Sequence, residues 1–113
     1  MVEMDAATGK VIGSWPIGTG VDFAGFDPKS KLAFFSCGEG VLNIFHEKSA
    51  DVIEPMDTVK TQPSAKTLAL DEKTGKVFLT AAEYNEAPPA AAGAQRGRRT
   101  IKPGSFVVLV VGK

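Results

Sequence analysis

An internal repeat is the feature that most constrains the fold of this 113-residue chain. The segment Asp27-Pro28-Lys29-Ser30, with Phe34-Phe35-Ser36 after it, aligns without gaps onto Asp71-Glu72-Lys73-Thr74 and Phe78-Leu79-Thr80, an offset of 44 residues. A period in the low forties that contains four short strands is typical of a β-propeller blade. The repeat therefore predicts a stack of similar antiparallel units.

The hydropathy pattern supports strands throughout the chain. Apolar residues recur with period two in short segments bounded by turn residues, and no long segment carries a helical stripe. The predicted fold class is all-β, with antiparallel four-stranded meanders as β-propeller blades, about two blades per chain. The predicted strands cover residues 1–5, 11–17, 21–27, 32–37, 41–46, 53–61, 65–71, 76–84 and 105–111.

Three turns share one chemistry, in Asp5–Lys10, Asp27–Lys31 and Asp71–Lys76. In each, the leading Asp is able to accept hydrogen bonds from residues two or three further on, and a Gly, where present, supplies a positive φ. The sequence therefore predicts equivalent hairpin turns at these places. The apolar residues expected in the core are Phe34, Ile44, Leu68, Leu70, Val77, Phe78, Val108 and Val110.

At the repeat, the chain resembles the C-terminal blades of the YVTN-type, or YncE-like, β-propeller family. Phe34-Phe35-Ser36-Cys37 and Phe78-Leu79-Thr80-Ala81 stand in the Tyr-Val-Thr-Asn slot, and the Asn is lost in both copies. The resemblance implies a binding or scaffolding module. It also implies the alternative of a propeller enzyme, either a hydrolase or a cofactor-dependent dehydrogenase. Relatives are often periplasmic or extracellular, although the start of this chain does not resemble a signal peptide.

The sequence divides into three parts. Residues 1–84 are expected to form blade-like units, and residues 104–113 the final strand. Residues 85–103 form an Ala/Pro-rich loop, expected to have little order over 85–95, that continues into a basic segment. Because about two blades leave apolar faces at both ends, we expect a homo-oligomer, as a dimer or a trimeric ring. The alternative is that the chain is a fragment of a longer propeller.

The composition limits the classes of binding partner that the sequence favours. Thirteen Lys and Arg balance thirteen Asp and Glu, so overall charge does not favour nucleic acid, and the single Cys cannot form an internal disulfide. No apolar run is long enough to span a membrane. The residues show no metal-ligand spacing, cofactor motif or catalytic motif, which favours a non-catalytic module.

A few residues remain as candidates for ligand binding. Asp22 and Lys66 occupy matching repeat positions in predicted innermost strands, which line the channel of a propeller. Arg96, Arg98 and Arg99 form a basic cluster that is able to contact an anion or a single-stranded nucleic acid. The alternative for Asp22 and Lys66 is that they are polar residues at the rim. The alternative for the arginine cluster is that it belongs to a solvated loop. Cys37 is interpreted as a small packing residue at a strand end.

Overall fold

The computed structural model describes residues 1–87, 89–93 and 97–112. Within these residues the protein has nine strands and no helix, which confirms the all-β prediction. No helix in this part of the chain is long and apolar enough to cross a membrane. The strands are β1 (Val2–Met4), β2 (Val11–Ser14), β3 (Val21–Asp27), β4 (Leu32–Cys37), β5 (Val41–Ser49), β6 (Val52–Lys60), β7 (Lys66–Asp71), β8 (Lys76–Ala81) and β9 (Val107–Val111).

The strands form three consecutive antiparallel sheets. We call them the N-terminal hairpin (β1-β2), the middle sheet (β3-β4-β5-β6) and the last sheet (β7-β8-β9). Each strand pairs with the one that follows it within its sheet, so every sheet is a simple meander. Each of the nine predicted strands is present.

The repeated turns are equivalent in their hydrogen bonds as well as in sequence. Asp27 Oδ1 accepts from the backbone N–H of Lys29 at 3.0 Å, and Asp71 Oδ1 accepts from Lys73 at the same distance. Each turn closes with a 2.8 Å bond to the Asp carbonyl, from Lys31 N in one and Gly75 N in the other. Both closing residues have positive φ, 60° and 71°. The predicted equivalence of these two turns is confirmed.

The core lies between the middle sheet and the last sheet. Phe34 and Leu42 of the middle sheet are buried in one cluster with Leu68, Val77 and Leu79 of the last sheet. Paired residues of an antiparallel ladder share a face, so the pairs Phe34–Ile44 and Ser36–Leu42 place this face of the middle sheet towards the last sheet. Burial of Phe34, Leu68 and Val77 is as predicted, whereas Phe78, Leu70 and Ile44 are half-buried.

The prediction that Val108 and Val110 belong to the core is wrong. The two side chains are 53% and 56% exposed. Leu109 and Val111, on the other face of β9, pack against the core. The physical reason is that β9 lies in the last sheet, and within the described residues no further layer covers its outer face.

The opposite face of the middle sheet is directed towards the N-terminal hairpin. There the rings of Phe35 and Phe45 meet edge to face at 5.7 Å, and Trp15 meets Phe45 at 6.2 Å. The indole of Trp15 also lies over Gly13, where a Cβ would be 2.4 Å from the ring. The hairpin is thereby attached to the middle sheet through one aromatic cluster.

Candidate functional site

Four connecting segments meet at one end of the sheets, which we call the loop end. Residues 16–20 lead into β3, residues 38–40 join β4 to β5, residues 61–65 join β6 to β7, and residues 82–106 join β8 to β9. Because successive strands run in opposite directions, these connections all lie at the same end of the strands.

Backbone hydrogen bonds unite the first three of these segments. Gly38 N donates to Gly20 O, Ser64 N donates to Gly38 O, and Thr61 N donates to Gly40 O, each at 2.8 Å. Gly40 has a φ of 105°, and a Cβ there would lie 3.0 Å from Pro63 N, so a side chain would be strained by the backbone conformation and crowded by the neighbouring backbone. The turn at 38–40 is therefore held between its two neighbours.

The long connection between β8 and β9 is hydrogen-bonded to the same group of segments. The Ser64 hydroxyl donates to Ala82 O at 2.7 Å. Further along, Tyr84 pairs with Ile101, and Asn85 N donates to Thr100 O at 2.9 Å, so the two ends of the connection form an antiparallel base. Of the residues in this base, Asn85 falls in the stretch 85–95 that was predicted to have little order, and its backbone N–H is paired.

A cleft of about 550 Å³, the loop-end cleft, opens where these segments meet. Its walls include Gly38, Gln62, Ser64, Tyr84 and Arg99. Glu83 also lines the cleft, and its carboxylate accepts from Lys102 Nζ at 2.9 Å. The lining residues therefore supply a guanidinium, an aromatic ring, a hydroxyl, an amide and a carboxylate that is in an ion pair with Lys102.

The predicted basic cluster is only partly within the described structure. Arg96 lies outside the described residues. Arg98 is exposed, and Arg99 is the member of the cluster that lines the loop-end cleft. A second cleft, of about 730 Å³, shares both Tyr84 and Arg99 with the first. Sequence spacing does not reveal that Tyr84 and Arg99 line the same clefts, because the two residues are 15 positions apart.

Asp22 and Lys66 lie on neighbouring strands but outside the loop-end cleft. Asp22 Oδ1 accepts from the Ser36 hydroxyl at 3.0 Å, and Asp22 Oδ2 accepts from Thr67 N at 2.9 Å. Thr67 has a φ of 59°, an uncommon value for a β-branched residue, which turns its N–H towards this carboxylate. Asp22 thus joins β3, β4 and β7. Lys66 is exposed, and its carbonyl accepts from Thr80 Oγ1 at 3.1 Å.

A buried polar group that sequence reasoning missed lies behind the loop end. Asn43 Oδ1 accepts from Gly18 N at 2.9 Å, and its Nδ2 donates to Thr58 Oγ1 at 3.0 Å. The neighbouring Cys37 is fully buried, which agrees with its interpretation as a packing residue, and burial raises the pKa of its thiol. A single amide in the apolar segment of β5 was the available signal for this network.

The acidic residues of the repeated turns also have structural partners. The Ser30 hydroxyl and Lys29 N–H hold the pKa of Asp27 below its ordinary value, and the Thr74 hydroxyl and Lys73 N–H do the same for Asp71. Among residues 1–87, 89–93 and 97–112, no three His, Cys, Asp or Glu side chains are grouped to hold a metal ion.

Comparison with known proteins gives no relative. No family model, no curated protein and no solved structure matches this chain.

Proposed function

We propose that the chain is a non-catalytic binding or scaffolding module of β-propeller type, whose ligand surface is the loop-end cleft. The observation that carries the proposal is the convergence of the connecting segments into one hydrogen-bonded surface around Arg99 and Tyr84. Propellers bind ligands and partners on the face where such loops surround the channel, while the sheets beneath supply a rigid scaffold.

In this proposal the sheets are successive blades. The middle sheet corresponds to one whole blade, the last sheet to the first three strands of the next, and the N-terminal hairpin to the outer two strands of the one before. Two observations support it: the equivalent turns at Asp27 and Asp71, and the bond from Thr67 N to Asp22, which links the first strands of two neighbouring sheets.

The lining of the cleft favours a small anionic ligand with an apolar body. Arg99 offers a fork of donors suited to a carboxylate, and the Tyr84 ring offers a flat apolar surface beside it. Ser64 and Gln62 add polar groups to the wall. The ion pair between Lys102 and Glu83 compensates the charge that would otherwise repel an anion.

An NMR titration with benzoate tests the proposal. We expect benzoate to shift the amide resonances of Ser64, Tyr84 and Arg99, and benzylamine, which has the opposite charge and a similar shape, to leave them unchanged. Arg99→Gln should abolish the shifts, whereas Arg98→Gln, a matched change of a neighbouring exposed arginine, should retain them. Benzoate shifts that lie elsewhere on the surface, or that survive Arg99→Gln, would contradict the proposal.

The same titration separates the module from a nucleic-acid binder. We expect oligothymidylate to cause no shifts at low salt, because the chain has no net positive charge. Binding whose logarithm falls with log salt at a slope of about −0.7 per phosphate contact, and which is lost in Arg98→Gln/Arg99→Gln, would favour the nucleic-acid alternative.

A further inference from the structure

The two ends of the stacked sheets expose different apolar faces. The tail face is the outer side of the last sheet, with Phe78, Thr80, Val108 and Val110. The head face is the outer side of the N-terminal hairpin, with Val2, Met4 and Ile12, which are 55%, 54% and 39% exposed. It is directed away from the middle sheet, because Gly13, on the other side of β2, lies against the Trp15 ring that meets Phe45 of the middle sheet.

The internal repeat shows which side of the middle sheet the tail face corresponds to. Phe78 pairs with Val110, as Phe34 pairs with Ile44 one repeat earlier, and Thr80 pairs with Val108, as Ser36 pairs with Leu42. The earlier set forms the side of the middle sheet that packs on the last sheet, where Phe34 is 5% exposed and Leu42 is fully buried. The tail face is thus the exposed copy of a face whose partner, in the middle of the molecule, is the next sheet along.

The head face corresponds to the other side of a sheet, the side on which the preceding sheet packs. The middle sheet has one side directed towards the sheet before it in the chain and the other towards the sheet after it. The middle sheet turns Phe35 and Phe45 towards the hairpin, and the last sheet turns Val77 and Leu79 towards the middle sheet. The hairpin turns Gly13 towards the middle sheet, so Val2, Met4 and Ile12 lie on the side where a preceding sheet would pack.

We infer that the head face of one copy of this chain packs on the tail face of a second copy. The inference rests on the proposed blade-like module and names the partner of its two ends. Since the two surfaces differ, the contact is head-to-tail, and repetition of it closes a ring or extends a filament. Face-to-face packing of this kind reproduces between chains the contact already present between the middle and last sheets.

Two variants, each with one end blocked, test the inference. Met4→Lys/Ile12→Lys places charges on the head face, and Val108→Lys/Val110→Lys places them on the tail face. All four positions are exposed in the single chain, so folding should be retained, which circular dichroism checks. Val52→Lys is the matched control, because Val52 is 49% exposed on β6 and belongs to neither face.

Light scattering after gel filtration then distinguishes the arrangements. We expect the parent chain and Val52→Lys to exceed the monomer mass of 11.9 kDa and each blocked variant to be a monomer. An equimolar mixture of the two blocked variants should form a species of two chains, because one intact head meets one intact tail.

A parent chain that is monomeric at millimolar concentration would overturn the inference. So would a blocked variant that still dimerises, because the contact would then be like-with-like, and so would a mixture that stays monomeric. None of these results affects the benzoate titration, which probes the loop end. A monomer that still binds at the loop-end cleft would refute the assembly and leave the proposed function standing.

Discussion

At the scale of single residues, repeat-equivalent positions have acquired different roles. Asp22 and Lys66 are 44 residues apart in the sequence, and each lies near the start of the first strand of its sheet. Asp22 uses both carboxylate oxygens to join three strands, whereas the side chain of Lys66 is directed into solvent. The repeat predicts where such residues lie, but it does not predict which of them is bonded, because this depends on the backbone of Thr67.

We therefore expect Asp22→Ala and Lys66→Ala to differ in stability. Loss of Asp22 leaves the Ser36 hydroxyl and the Thr67 N–H without this acceptor, and we expect the free energy of unfolding to fall by about 1–2 kcal/mol. Lys66→Ala should change it by less than about 0.5 kcal/mol. Urea denaturation measures both values, and equal values for the two variants would show that Asp22 does not join the sheets in this way.

At the scale of elements, Phe34 and Phe78 occupy the same repeat position in β4 and β8 but different environments. Phe34→Ala opens a cavity between two sheets, and we expect a loss of about 3–5 kcal/mol, enough to unfold a small domain. Phe78 is half-buried on the tail face, so Phe78→Ala should cost the monomer about 1–2 kcal/mol, in proportion to the smaller area removed from water.

Thermal melts at low protein concentration compare the two variants without a contribution from association. A Phe78→Ala variant destabilised as much as Phe34→Ala would mean that the tail face is covered within the single chain. Leu109→Ala in β9 serves as a further reference, because Leu109 lies on the face of β9 that packs against the core. It should cost more than Val110→Ala, whose side chain is mostly exposed.

The strands and turns could be predicted because their signals are local. Period-two alternation and the Asp-led turns act within a few residues, and neither needs a distant partner. The exposure of Val108 and Val110 could not be predicted, since an apolar outer face looks the same in sequence whether or not another layer covers it. The pairing of Tyr84 with Ile101, which brings Arg99 into the cleft, spans a loop without periodicity.

At the scale of the whole molecule, the same carboxylate turn recurs once in each sheet. Asp5 lies in the N-terminal hairpin, Asp27 in the middle sheet and Asp71 in the last sheet. Hydrogen bonds from nearby N–H and hydroxyl groups lower the pKa of all three, with the bond from Thr8 the largest cause at Asp5. A single change of pH therefore acts on every sheet at once.

A lowered pKa in the folded state means that the unfolded chain binds protons more readily. The contribution to stability is present above the ordinary Asp value of about 3.9 and is lost as the pH falls through the lower folded values. We expect the melting temperature to decrease below about pH 4 and this decrease to be smaller in Asp27→Asn/Asp71→Asn. Asp51→Asn, in the exposed two-residue turn between β5 and β6, is the control, and a decrease unchanged in the double variant would contradict the expectation.

The attachment of the N-terminal hairpin through Trp15 has an optical consequence. Trp15 is the single tryptophan of the chain, and its ring lies between Gly13 of the hairpin and Phe45 of the middle sheet. Local opening of a weakly attached element precedes global unfolding in many proteins. Tryptophan fluorescence in this protein therefore reports on the contact between the N-terminal hairpin and the middle sheet. A shift of the emission to longer wavelength indicates that the hairpin has separated from the middle sheet.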